Sequence, residues 1–201
     1  MTSAAFSLYF DYRCPFARNA SEHVIEAVRS GAPYDVEFRA FSQSQGSEDP
    51  GRTPVWEDPA KFRELIAGAA GIVVRDRFPD QFFDAHLSLF AIRHDDGEDL
   101  RDEGIVRRGL SRVGLDADLV WKEIDDGWPI AKFRAEHEES ITRYRVFGVP
   151  TFVSADEAVF VRLMQRPAGD AKLARSTIDR IFDLMTNHPE INEYKHTSLP
   201  Y

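Results

Sequence analysis

The stretch "YFDYRCPFARNASE", residues 9–22, decides how the rest of the chain is read. It joins the end of an apolar run to the start of a helical pattern, and Cys14, the single cysteine, stands at the junction. Pro15 suits the first turn of a helix, where a missing N–H costs nothing. Three residues after the cysteine stands Ala17. Upstream, "AFSLYFDY" (5–12) is short, apolar and aromatic and reads as a buried strand. Downstream, "FARNASEHVIEAVRSG" (16–31) puts Ala20, Val24, Ala27 and Val28 on one helical face and stops at Gly31. In "YDVEFRAFS" (34–42), Val36, Phe38 and Ala40 alternate with Asp35, Glu37 and Arg39, which is the period of a second strand.

Beyond the polar loop 42–54 the pattern is helical for most of the next stretch. "DPAKFRELIAGAAG" (58–71) opens with an Asp cap and a proline, and "PDQFFDAHLSLFAIRHD" (79–95) carries Phe82, His86, Leu89 and Phe90 at helical spacing. "DEGIVRRGLSRVGL" (102–115) and "DADLVWKEIDDG" (116–127) are shorter, and "PIAKFRAEHEESITRYRVFG" (129–148) ends the block at Gly148. "VPTFVSA" (149–155) and "AVFVRLM" (158–164) then read as a hairpin, and 170–187 as an amphipathic helix. A strand-helix-strand unit implies parallel pairing through a crossover, to which the hairpin adds antiparallel strands.

The chain of 201 residues is 43% hydrophobic, enough for a sizeable core, and 12% aromatic. A net charge of −9 and the lack of a basic tract argue against nucleic acid as a partner. No apolar run reaches the roughly 20 residues of a membrane span, and the N-terminus does not read as a signal peptide. One cysteine makes no internal disulfide, so an oxidising compartment offers nothing, and a cytoplasmic protein is expected. The excess of Arg over Lys fits a GC-rich bacterial genome.

Cys14-Pro15 at the first helix and "GVPTF" (148–152) before the third strand, in this order around a helical block, resemble the DsbA-like branch of the thioredoxin superfamily. The resemblance runs over about residues 5–186. It implies an α/β, thioredoxin-like fold, a central mixed sheet with an inserted all-helical domain. Residues 1–57 and 143–201 would form the thioredoxin-like domain and 58–142 the insertion. It also implies Cys14 as nucleophile, with Arg13, Pro15, Phe16, Val149, Pro150 and Thr151 as the thiol- or substrate-binding surface. The second cysteine of the family's motif maps to Ala17, so a dithiol cycle within one chain is excluded. The tail "HPEINEYK" resembles the actinobacterial mycothiol-dependent reductases of this branch.

A thiol at a helix N-terminus faces unpaired N–H groups and the positive end of the helix dipole, and both favour the attacking thiolate. The plainer reading is a small buried hydrophobe. Arg13 either stabilises a thiolate or a carboxylate-bearing thiol, or is a solvated loop arginine, and Arg18 has the same ambiguity. Pro150, if cis as in the family's motif, exposes the Val149 backbone to an incoming thiol peptide or cofactor; trans, it merely opens a strand. Phe16 walls a substrate or packs. Trp56, Phe82, Phe83, His86 and Phe90 either line a cleft facing Cys14 or form core, the usual place of large apolar side chains. The histidines show no ligand spacing, so no metal is expected.

Three functions follow from this reading. The first is a thiol-disulfide oxidoreductase with a monothiol mechanism, in which a low-molecular-weight thiol, glutathione or mycothiol, resolves the mixed disulfide and no cofactor is tightly bound. The second is a thiol-cofactor-dependent transferase or isomerase, related to kappa-class glutathione transferases and 2-hydroxychromene-2-carboxylate isomerases. The third is a redox-inactive binding module. A small thiol or disulfide is the expected partner, with no membrane and no nucleic acid, and the sequence leaves homodimerisation open.

Overall fold

Strands β1 (Ala4–Phe10) and β2 (Tyr34–Ala40) pair in parallel, Ala4 opposite Tyr34 and Phe10 opposite Ala40. The helix α1 (Pro15–Arg29) makes the crossover between them. In this computed structural model, which describes residues 4–46, 51 and 53–198, the hairpin of β3 (Thr151–Ser154) and β4 (Glu157–Phe160) completes one mixed sheet. The strand order is β2-β1-β3-β4, with β1 and β3 antiparallel. β1 is central and covered on both faces, so Leu8 and Tyr9, which point opposite ways, are both fully buried. A strand in that position reads as a continuous apolar run, as "FSLYF" does.

On one face, Phe6 packs against Phe152 and against Phe182 of α7 (Ala171–Asn187). Small residues, Ala27 and Ala174, let α1 and α7 approach closely. Each fully buried Phe or Leu contributes about 1.5–3 kcal/mol. Between β2 and β3 lie α2 (Ile66–Arg77), α3 (Pro79–His94), α4 (Glu103–Ser111), α5 (Ala117–Asp125) and α6 (Trp128–Thr142). The helical block shares its core with the sheet: Phe38 of β2 meets Phe82, Phe83 and His86 of α3. A second tie is polar. Glu136 of α6 accepts the Ala40 amide (2.7 Å) and the Arg75 guanidinium of α2 (2.7 Å).

The observed elements differ from the sequence reading at several edges. The helix expected over 58–71 is broken at Leu65: Pro59–Glu64 forms a 3-10 turn capped by Asp58, and α2 starts at Ile66. Strand β1 stops at Phe10, because Asp11 turns the chain by accepting the Arg13 amide. The last helix of the block ends at Thr142, not Gly148, and Arg145 follows with a positive φ of 54°. β4 ends at Phe160, not at 164, because Asn19 of α1 takes the Leu163 carbonyl (2.7 Å) and draws the chain off the sheet. Part of the polar loop expected over 42–54, residues 47–50 and 52, lies outside the described residues.

Candidate active site

Cys14 is the N-cap of α1, with extended backbone angles (φ −89°, ψ 116°) and Pro15 in the first turn. Its amide bonds the Asp11 carbonyl (2.9 Å), which closes the turn that leads from β1 into the helix. The sulfur accepts the Ala17 amide at 3.4 Å and donates its proton to the Val149 carbonyl at 3.2 Å. Cys14 and the 149–151 segment, 135 residues away in the chain, are thus brought into contact. The Val149–Pro150 peptide is cis. Val149 is buried, and Thr151 is fixed by its hydroxyl bond to the Gly148 carbonyl (2.8 Å) and by pairing with Tyr9 and Phe160. Pro15 is exposed and Phe16 half-buried at the rim.

The electrostatics of the thiol run opposite to what a helix terminus alone would give. Burial is the largest influence and pushes the Cys14 thiol up; the Ala17 and Phe16 amides pull it down by less, and the Asp11 carboxylate adds to the rise. The resting group is therefore a thiol that donates to Val149. Arg13 does not counter this. Its guanidinium turns away to Asp11 (2.8 Å), Ser44 (2.6 Å) and Glu64, in a clamp joining the turn to the helical block. Arg18 is held by Asp95 (2.8 Å) and Glu22 (2.9 Å). A water-sized cavity of about 20 Å³ behind the turn is lined by Asp11, Arg13, Glu64, Gly68 and Phe133 and does not include Cys14.

No protein-family model matches the chain. Rv2286c, an uncharacterised protein of Mycobacterium tuberculosis, is 26% identical over 176 residues, covering 86% of this chain and 74% of the relative. Among solved structures, the cytosolic disulfide reductase DsbM of Pseudomonas aeruginosa, determined with GSH, superposes with a TM-score of 0.60 at 12% identity. The match covers 90% of this chain and all 100% of that one. A 2-hydroxychromene-2-carboxylate isomerase superposes with a TM-score of 0.60 at 14% identity, over 94% of this chain and 100% of that one. The fold is DsbA-like.

Within this DsbA-like fold, the aromatic and histidine set on α3 is core. His86 is fully buried between the Tyr12 hydroxyl (2.9 Å) and the Ser21 hydroxyl (3.1 Å), and burial pushes its imidazole down to about 3. Sequence reasoning missed two residues next to the segments that hold Cys14. Phe147 is 74% exposed and packs on Phe160 of β4 (5.1 Å between rings). Arg162 lies over the Phe16 ring at 5.5 Å. The spacing of Phe160 and Arg162 in the expected strand 158–164 was the available signal, since strand alternation would put both side chains on one face, but β4 ends at Phe160. Its use depended on the β3–β4 register, which the hairpin turn sets and the helical block hides.

Proposed function

We propose that the protein is a thiol-disulfide oxidoreductase that works through Cys14 alone, with a small thiol completing each turnover. The observation that carries this reading is the placement of the only sulfhydryl at the cap of α1, against the Val149 carbonyl. Cys14 loses its proton to solvent and attacks a mixed disulfide of a substrate and a small thiol. A bond forms between the Cys14 sulfur and the small-thiol sulfur as the substrate's S–S bond breaks, and the substrate leaves as its thiolate. A second small thiolate attacks the small-thiol sulfur, frees the Cys14 thiolate and departs as the small-thiol disulfide. The substrate sulfur is reduced and the incoming thiol oxidised, so the electrons balance. The Ala17 amide serves the charged sulfur in both steps.

Glutathione or mycothiol supplies the small thiol in this reading. In this reading the incoming disulfide approaches past Pro15 and Phe16, with the buried Val149, Pro150 and Thr151 beneath the sulfur. The cytoplasm is the proposed place of action, since a lone cysteine gains nothing from an oxidising compartment. Among the described residues, no helix is long and apolar enough to cross a membrane.

Cys14→Ser should reduce disulfide exchange, followed with glutathionylated peptide and free glutathione, to the uncatalysed rate. Full activity in that variant would sink the proposal. Two other readings each have an observation behind them. The isomerase-like shape favours a thiol-cofactor-dependent transferase or isomerase. The upward push on a buried Cys14 favours a redox-inactive binding module. Saturable thiol binding without exchange would select the former, and neither binding nor exchange the latter.

A further inference from the structure

The guanidinium groups near Cys14 fall into two kinds. Arg13 is neutralised by Asp11 and Glu64, and Arg18 by Asp95 and Glu22. Arg166 lies on Glu22 (2.6 Å). Arg162, by contrast, has no carboxylate within ion-pair distance among the described residues, and its one described interaction is with the face of Phe16. It is half-buried, so its charge is only partly screened by water.

Its position is fixed from two sides. Thr151 pairs with Phe160, and the Val161 amide bonds the Pro150 carbonyl at 3.2 Å, so Arg162 comes next, on the Val149 side of the ladder. Val149 holds the Cys14 sulfur. From the other side, Phe16 stands two residues past Cys14 in the first turn of α1. The cation therefore lies on the Phe16 ring, two residues from Cys14 in α1, while its backbone is next to Val149, whose carbonyl holds the Cys14 sulfur. A ring and a stem hold the side chain in place while its N–H fork stays free for a planar anion.

We infer that Arg162 and Phe16 form a carboxylate-binding half-site beside Cys14, and that the disulfides and thiols exchanged there carry a carboxylate close to the sulfur. The inference rests on the reading of Cys14 as the exchange thiol and specifies its substrate class. An anionic thiol of the glutathione or cysteine kind fits. Mycothiol, whose cysteine carboxyl is tied up in an amide, lacks the partner that Arg162 offers, so of the two small thiols named above the glutathione kind is selected.

The test compares the full-length wild type with Arg162→Gln. Initial rates of Cys14 modification are followed by intact mass with glutathione disulfide, which is anionic, and hydroxyethyl disulfide, which is neutral. The ratio of the two rates should fall about ten-fold in Arg162→Gln, the size of one charge-assisted hydrogen bond. Added salt should lower the ratio in the wild type but not in the variant. An unchanged ratio, or equal slowing with both disulfides, would overturn the inference. If the wild type exchanges with neither disulfide, the exchange reading fails and binding decides the half-site. Cys14→Ser protein should then bind S-methylglutathione about ten-fold more tightly than its dimethyl ester. Equal binding, or none, overturns the half-site as well.

Discussion

Cys14 and Tyr12 stand two residues apart in one turn and are both buried, yet their surroundings differ. The Tyr12 hydroxyl bonds His86, and His86 bonds Ser21, so each polar atom of that chain has a partner. Phe10, Phe38, Phe82 and Phe90 pack their rings around the imidazole at 4.5–5.0 Å. Cys14 has one carbonyl and one amide as partners, and the exposed Pro15 follows it. Both groups are desolvated, but aromatic rings enclose the Tyr12–His86 pair, whereas an exposed residue, Pro15, directly follows the thiol. Desolvation alone does not mark a site.

The largest effect should come from the sealed region. His86→Ala should lower unfolding free energy in urea by about 3 kcal/mol, because it opens a cavity and strands two hydroxyls. It should leave the pH profile of Cys14 alkylation unchanged; a changed profile would break the contrast, since it would show the two regions to be coupled. The imidazole is held at about 3, below its ordinary value, so the unfolded chain binds the proton more readily. Its contribution is present above the unfolded value of about 6.5 and is lost as pH falls towards about 3. The difference in stability between wild type and His86→Ala should therefore shrink over that interval. A constant difference would show that His86 does not titrate as a buried group.

A smaller effect should come from Gly71 of α2, where an added Cβ would lie 2.5 Å from the Tyr12 hydroxyl. Gly71→Ala should cost about 2 kcal/mol by overpacking, read from the urea midpoint. A cost below measurement error would mean that the Tyr12 ring has room to shift, and that the core side is less rigid than its ring packing implies.

The smallest shift sharpens the rim side. The rate of Cys14 alkylation, with the site confirmed by mass spectrometry, should keep rising with pH past the free-cysteine value of about 8.5. Burial raises the thiol, so the reactive thiolate is scarce at neutral pH. A plateau below neutrality would instead show that the α1 amides outweigh burial.

Much of the fold was legible because periodicity reports burial. The two-residue alternation of Val36, Phe38 and Ala40 reappears as a face buried at Phe38 and Ala40 and half-buried at Val36, and the helical spacing of Ala20, Val24 and Ala27 as a buried face. Edges were less legible, because long-range bonds decide them. Asn19 holds the Leu163 carbonyl and ends β4 near Phe160, and nothing local in "AVFVRLM" announces that partner. Cys14 was conspicuous as the lone thiol beside Pro15, whereas Arg162 looked like any surface arginine until its neighbours were known.

By itself the sequence determined the order of elements, the lone thiol at a strand-to-helix junction and the absence of a second cysteine to pair with it. These are local or compositional properties, fixed by residue type and spacing. Tertiary structure decided which charges are spent and which remain free. Arg13 and Arg18 sit closest to Cys14 in the chain yet are neutralised by carboxylates at Glu64 and Asp95. Arg162, 148 positions past the thiol, reaches the Phe16 ring without such a partner among the described residues. Ion pairing acts through space over a few ångströms, and only folding sets that distance.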